Sequence, residues 1–247
     1  MRETITLTGI VLVSSPVREY DKRIEILTRE RGRIPAFAQG ARKQNSALSA
    51  CTIPFTFGTF QVYEGRSAYI VKSGEIENYF ANLADNYDSL CYASYFTEVA
   101  RYLTRENIRA DEELMLLYIT FRALQRKNVP VKLIRRIFEL RIMSLQGQTP
   151  ELFVCIKCGN TDAFDVYMTE GGLICQNCAQ KLELKRQHAV QLSHDARYTL
   201  QYIISSPIQK LYNFNVSDAV MDNIDKFMVK YLLQYLPHHF NASDFLS

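Results

Sequence analysis

Four cysteines fall in two pairs, Cys155-Ile156-Lys157-Cys158 and Cys175-Gln176-Asn177-Cys178, and residues 159–174 separate them. A two-residue gap lets one tight turn aim both sulfurs at a single point. A sixteen-residue separation between two such pairs is the spacing of a four-thiolate zinc site. Zn²⁺ takes four ligands in a tetrahedron, and an all-cysteine set leaves no open position for water or substrate. The expected site holds one structural Zn²⁺ through Cys155, Cys158, Cys175 and Cys178. The alternatives are two disulfides or four free thiols. Whatever the chain folds into must therefore bring two turns twenty residues apart to one place.

The compartment bears on that choice. Met1-Arg2-Glu3-Thr4 opens without the apolar core of a signal peptide. No run approaches the eighteen or so uninterrupted apolar residues of a membrane span. The expected location is the cytoplasm, where thiols stay reduced and metal is favoured over disulfide. Two cysteines remain. Cys91 sits in an apolar run and reads as a small core residue, and Cys51 reads as a loop residue without a role.

A chain of 247 residues accommodates one large domain or two smaller ones, and its periodicity changes once. Residues 1–78 read as β. Thr4–Thr8 alternates polar and apolar and continues through Ile10–Val13. Arg23–Thr28 is a second strand, and Gly32 marks a turn before a third at Ile34–Gln39. Ile53–Phe57 and Phe60–Tyr63 make a fourth with Gly58 as a bulge, and Ser67–Val71 makes a fifth. Five short strands at this spacing suggest a small barrel. A five-stranded barrel of this size is the OB-fold, which binds oligonucleotides; an SH3-like barrel fits the periodicity nearly as well. Residues 79–247 read as a helical domain. Helices are expected over Tyr87–Leu103, over Leu114–Leu124, from a start at Val129-Pro130 to Leu145, over Ala196–Ile204 and over Ala219–Leu236. Ser193 or His194 caps the fourth, Ser217 caps the fifth, and Gly147 ends the third. The zinc-binding segment, at about 150–182, interrupts these helices. The fold class is thus α+β and multidomain: an N-terminal OB-type barrel, then an all-α domain with a four-cysteine insertion.

Charge is uneven along the chain. Residues 1–150 hold 21 Lys and Arg against 16 Asp and Glu, and residues 151–247 hold 8 against 10. In the barrel region Arg29, Arg31, Arg33, Arg42 and Lys43 face one acid, Glu30, with Arg18, Lys22 and Arg23 upstream. Guanidinium forks on barrel loops suit phosphate, and such binding falls steeply with salt. A solvated charged loop is the equal alternative on charge alone. Of the aromatic residues, Tyr63 and Tyr69 are the candidates for stacking on bases. A second basic stretch carries Lys132, Arg135, Arg136 and Arg141 on a helix. Its plainer reading is a charged face in water; its functional reading is a polyanion track or a groove for an acidic peptide.

Motifs for catalysis are missing from the sequence. There is no Gly-x4-Gly-Lys-Ser/Thr loop, no His-Glu-x2-His, no Gly-x-Ser-x-Gly and no zinc-deaminase pattern. The pattern favours a binding protein. A zinc-stapled adaptor for acidic peptides and an RNA-binding factor are the other readings.

In the order of its parts the chain resembles the bacterial RecO proteins, recombination mediators of DNA repair. The resemblance is carried by Val17-Arg18-Glu19-Tyr20-Asp21-Lys22-Arg23, Leu27-Thr28-Arg29-Glu30-Arg31-Gly32-Arg33 and Gln39-Gly40-Ala41-Arg42-Lys43. It continues from Arg136-Ile137-Phe138-Glu139-Leu140-Arg141 through Gly147 and Pro150 to Cys155–Gly159. It implies a non-enzymatic protein with an N-terminal OB-fold that binds single- and double-stranded DNA and anneals complementary strands. It also implies a RecR-type partner, engagement of the acidic C-terminal tail of single-strand-binding protein, help in loading RecA, and association with the nucleoid.

Overall fold

The computed structural model describes residues 3–161, 166–169, 171–183 and 189–246. Part of the expected zinc segment and of the helical stretch after it therefore lies outside the described residues. The chain forms two compact units: residues 1–126 with 240–247, and residues 127–239.

The first unit is a closed barrel. Its strands are β1 (Ile5–Val17), β2 (Asp21–Thr28), β3 (Gly32–Ala38), β4 (Thr56–Glu64) and β5 (Tyr69–Tyr79). They close in the order β1-β2-β3-β5-β4. All neighbours are antiparallel except β3 and β5, which pair in parallel at Ala36 opposite Tyr69 and Phe37 opposite Ile70. A short helix, α1 (Leu48–Cys51), lies between β3 and β4. This is an OB-like barrel, and its inward residues follow the period of two that a pleated strand imposes. Leu7, Val11, Ile24, Ile26, Ile34, Ala36, Phe60, Val62 and Val71 fill it. Gly58 stands at a register shift between β4 and β5, as expected of a bulge. Two sequence expectations change. Strand β5 runs on to Tyr79, since Glu75 and Glu77 keep its outer face polar while Ile76 packs on the core. Cys51 is a buried residue of α1, and a Cβ on Gly74 would meet the Cys51 Cβ at 2.7 Å. Only a glycine lets α1 approach β5 that closely.

Helices α2 (Tyr87–Leu103) and α3 (Asp111–Arg126) complete this unit. Asn86 caps α2 by accepting the Ser89 N–H, and three acids open α3, as the helix dipole favours. Phe121 on α3 meets Phe55 and Phe80 edge to face, with centroids at 5.4 and 5.3 Å. Such pairs add about 0.5–1.5 kcal/mol each beyond their buried area. The loop between α2 and α3 grips the β2–β3 hairpin: Asn107 N–H donates to the Arg31 carbonyl and Ala110 N–H to that of Arg29. Gly32, at φ +63°, is pressed so close that a Cβ would lie 2.1 Å from the Arg105 carbonyl oxygen. Phe240 returns to pack edge to face on Tyr95 and Tyr102, both at 5.8 Å.

A carboxylate ties α2 to the barrel. Glu25 on β2 accepts two bonds from Arg101, at 2.7 and 2.6 Å, and one from Arg33 at 3.0 Å. Burial pushes the Glu25 carboxyl up, and the two guanidinium groups more than reverse this, holding it below the ordinary carboxylate value.

The second unit is built on α4 (Val131–Leu145), α6 (His194–Ser205) and α7 (Asp218–Tyr235). Ser193 and Ser217 cap α6 and α7 by accepting the Ala196 and Val220 N–H groups. Between α4 and α6 lie β6 (Val166–Thr169), β7 (Gly172–Cys175), α5 (Gln176–Lys181) and β8 (Val190–Leu192). The three strands form an antiparallel sheet in the order β7-β6-β8, which the sequence reading lacked. On α4 the charged residues do not all face water. Glu139 is 0% exposed in its side chain, with Arg135 and Arg136 bonded to its two oxygens at 2.8 and 2.7 Å. Arg136 also donates to Asp225 of α7 at 2.5 Å. Burial acts against the charged guanidinium of Arg136, and Glu139 and Asp225 outweigh it, so its pKa is raised. No helix among the described residues is long and apolar enough to cross a membrane.

Two outcomes follow. Because the folded pKa of Glu25 is depressed, its pairing contributes fully above the unfolded value, about 4.3. The contribution disappears as pH falls through the folded value. Glu25→Gln should lower stability by about 1–3 kcal/mol at pH 7, with the gap to wild type closing below about pH 4 in urea titrations. Arg136→Ala should cost about 3–5 kcal/mol, because it leaves Glu139 buried and under-compensated. The double variant Arg136→Leu/Glu139→Leu should lose less than Arg136→Ala in the same measurement.

Candidate metal centre and candidate nucleic-acid interface

The first cysteine pair lies in a turn held by its own backbone. Cys155 N–H donates to the Asn160 carbonyl at 2.9 Å, and Gly159 N–H donates back to Cys155 at 2.8 Å. Glu151 accepts the Phe153 N–H at 2.8 Å just ahead of it. The second pair straddles a strand–helix junction: Cys175 ends β7 and Cys178 lies in the first turn of α5. Ile156 N–H donates to the Leu173 carbonyl at 2.9 Å, stitching the two turns together. Arg197 on α6 braces the first turn, donating to the carbonyls of Leu152, Phe153 and Thr161.

All four sulfurs lie within 4.8 Å of one another, and those of Cys158 and Cys175 are 3.7 Å apart. A tetrahedron with metal–sulfur bonds of about 2.3 Å separates its sulfurs by about 3.8 Å. The group thus fits a metal ion, and all four cysteines are unbridged. Ile174 and Ala179 pack on it, and Cys175 N–H donates to the Cys155 sulfur at 3.3 Å. As free thiols the four do not behave alike. Burial pushes the Cys155 thiol up, but backbone N–H groups of Cys175, Lys157 and Cys158 outweigh it and draw it down to about 6. Cys178 is pushed up to about 12, chiefly because it shares its proton with Cys158 and Cys175. Four sulfurs this close cannot all be thiolates without a cation among them, which is the condition a bound metal satisfies.

The basic residues of the barrel form two groups, not one. Strand pairing places Lys22 opposite Ala38 and Thr28 opposite Gly32. The two ends of this hairpin are six residues apart, about 20 Å. At the closed end stand Arg29, Arg31 and Arg33. Arg29 lies 3.5 Å from Glu30 and donates to the Thr8 hydroxyl. Arg33 is bonded to Glu25, and Arg31 is half-buried. Two of the three arginines here, Arg29 and Arg33, are thus paired with carboxylates.

The other end carries Arg18, Lys22, Arg42 and Lys43, with Arg23 exposed on the adjoining wall of β2. Here two loops are locked together. Arg42 N–H donates to the Tyr20 carbonyl at 2.9 Å, and its guanidinium reaches the Glu19 carbonyl at 3.2 Å. Asp21 accepts the Gly40 N–H at 2.8 Å. Lys22 donates to the Thr52 hydroxyl at 3.2 Å. Arg18, Arg42 and Lys43 remain exposed. Of the expected stacking residues, Tyr69 is 5% exposed and packs in the core, and Tyr63 is half-buried on β4. The exposed ring at this end is Tyr20, which the sequence reading passed over. Its signal was present: an aromatic residue in a two-strand turn with a cation two residues to either side.

On α4, Lys132 is exposed, Arg135 is 23% exposed and bridged to Glu139, and Arg136 is buried. Arg141 is half-buried and donates to the Ile204 carbonyl. Two of the four residues expected to form a partner groove therefore serve the packing of their own unit.

The family model described as recombination protein O N terminal matches residues 1–80, and that described as recombination protein O C terminal matches residues 84–244. Curated relatives agree over nearly the whole length. The chain is 29% identical over 241 residues to DNA repair protein RecO of Acetivibrio thermocellus, covering 97% of this chain and 94% of that one. It is 29% identical over 244 residues to DNA repair protein RecO of Alkaliphilus metalliredigens, covering 96% of each. It is also 29% identical over 240 residues to that of Bacillus pumilus, covering 97% and 92%. With both halves of the chain matched in order, barrel first and thiolate-bearing helical unit second, the protein belongs to the recombination protein O family.

Proposed function

We propose that this chain is a non-enzymatic DNA-binding mediator of recombinational repair. Single- and double-stranded DNA is held by the locked loop end of the barrel, through Arg18, Arg42 and Lys43 with Lys22 and Arg23 behind them. The observation that supports this most is the latch itself: it fixes three exposed cations on a rigid surface, so little ordering entropy opposes phosphate binding. Annealing then has a simple physical basis. Two strands repel each other, and a cationic surface holding both lowers that repulsion. Arg29 and Arg33 are secondary in this reading because Glu30 and Glu25 already share their charge, and half-buried Arg31 stands with them at the far end of the hairpin.

Family membership supports the wider role: work with a RecR-type partner and single-strand-binding protein to load RecA. For the acidic tail of single-strand-binding protein, Lys132 and Arg135 are the cations of α4 nearest to solvent. A tail-peptide titration should use Lys132→Ala/Arg135→Ala and leave Arg136 intact, since Arg136 supports the fold.

In the metal centre we assign one Zn²⁺, held by Cys155, Cys158, Cys175 and Cys178. Thiolates are the donors this borderline-soft ion favours, and a closed set of four makes it structural. When bound, it supplies folding free energy to the two turns.

Arg42→Ala/Lys43→Ala should weaken binding to all DNA sequences alike. It should also flatten the plot of log affinity against log salt by about 1.4 for single strands, the share of two phosphate contacts. An unchanged slope in salt-titrated anisotropy assays would remove these residues from the interface. Cys175→Ser should lower bound zinc from one ion to well below one per chain by elemental analysis. The same variant should open residues 150–182 to limited proteolysis while the barrel stays resistant.

A further inference from the structure

The ring of Tyr20 is 45% exposed and stands among the cations of the locked loop end. Lys43 places its Nζ 5.8 Å from the ring centroid. The backbone beneath the ring is held from two sides: Arg42 N–H bonds the Tyr20 carbonyl, and Asp21, the next residue, caps the Gly40 N–H. A hydrogen bond to the Glu19 side chain holds the phenol above its ordinary pKa. An exposed aromatic ring is ordinary on a protein surface. A ring on an immobilised turn, with Arg18, Arg42 and Lys43 around it, is a different object. It pairs a flat apolar face with the Lys43 ammonium beside it, and the Arg42 guanidinium stands on the carbonyl of the residue before it.

Tyr63 and Tyr69, the rings better placed by sequence, cannot serve this purpose well: one is half-buried on a strand and the other is in the core. We infer that Tyr20 is a base-stacking platform, and that it gives this end of the barrel a preference for single-stranded polynucleotide over duplex. The chemistry is direct. Every base has a π-face, so stacking tolerates any sequence. In a duplex those faces are covered by neighbouring bases, and only the phosphates are offered. Lys43 lies close enough to pass between the ring and an incoming phosphate, so stacking and charge act at one spot. This inference rests on the reading of the loop end as the nucleic-acid interface.

The chain contains no tryptophan, so Tyr20→Trp places a single indole reporter at the site. Indole emission should be quenched by a short oligothymidylate and not by inorganic polyphosphate titrated to the same charge. Equal quenching by both, or by neither, would overturn the inference. Tyr20→Leu, which keeps bulk and removes the π-face, should weaken binding of the oligothymidylate by between about fivefold and about 150-fold. Its loss on a duplex of equal length should be smaller. An equal loss on both, or none on the single strand, would also overturn the inference. The two readings fail separately. If the full-length wild-type chain binds neither strand form, the interface reading falls with this one. If it binds with a salt slope that Arg42→Ala/Lys43→Ala flattens, while Tyr20→Leu matches wild type, only the stacking platform falls.

Discussion

Two loops twenty residues apart become one surface because Arg42 bonds the β1–β2 turn through both its main chain and its side chain. Neither loop has apolar residues enough to fix itself. The backbone bond to Tyr20, the guanidinium on Glu19 and the Asp21 cap on Gly40 replace a missing core with hydrogen bonds. The consequence is electrostatic as much as structural. Like charges crowd only where something else holds them, and here the backbone does so. Arg18, Arg42 and Lys43 stay near one another without a carboxylate bridging each.

Burial decides which of the many basic residues remain available. Arg33 and Arg101 are committed to Glu25, and Arg136 to Glu139 and Asp225. These ion pairs differ from surface ones, whose net contribution is about 0–1 kcal/mol. Each centres on a carboxylate withdrawn from water, where losing a partner is costly. The chain thus uses similar arginines for opposite ends: some make the two units rigid, and others are left for a polyanion. Composition counts them all alike.

What the sequence discloses follows from the range of the interaction that fixes it. The strand alternation from Ile5 to Val71, the serine caps of α6 and α7 and the thiolate spacing are local patterns, and they are legible because each needs only its neighbours. The sheet β7-β6-β8 was not legible. Strands of three and four residues are too short to show a period, and they are held by register with each other. The fate of Arg136 was hidden for another reason: its partner Asp225 is 89 residues away. Helical periodicity placed Arg136 on a charged face, but it could not say that α7 covers that face. Tyr20 was missed by weighing strand residues over turn residues when looking for rings.

Phe240 fits against Tyr95 and Tyr102, and Ala242 N–H donates to Glu98. The barrel-bearing unit is therefore made from two stretches of chain with the whole helical unit spliced between them. Its integrity is discontinuous in sequence. A truncation drawn after residue 239 to trim the helical unit would strip aromatic packing from α2 instead. Excising the barrel at residue 80, where the first family match ends, would discard Arg101, the arginine that makes two of the three bonds to Glu25. Independent expression of the barrel-bearing unit calls for joining residues across the splice, whereas the helical unit is one continuous stretch.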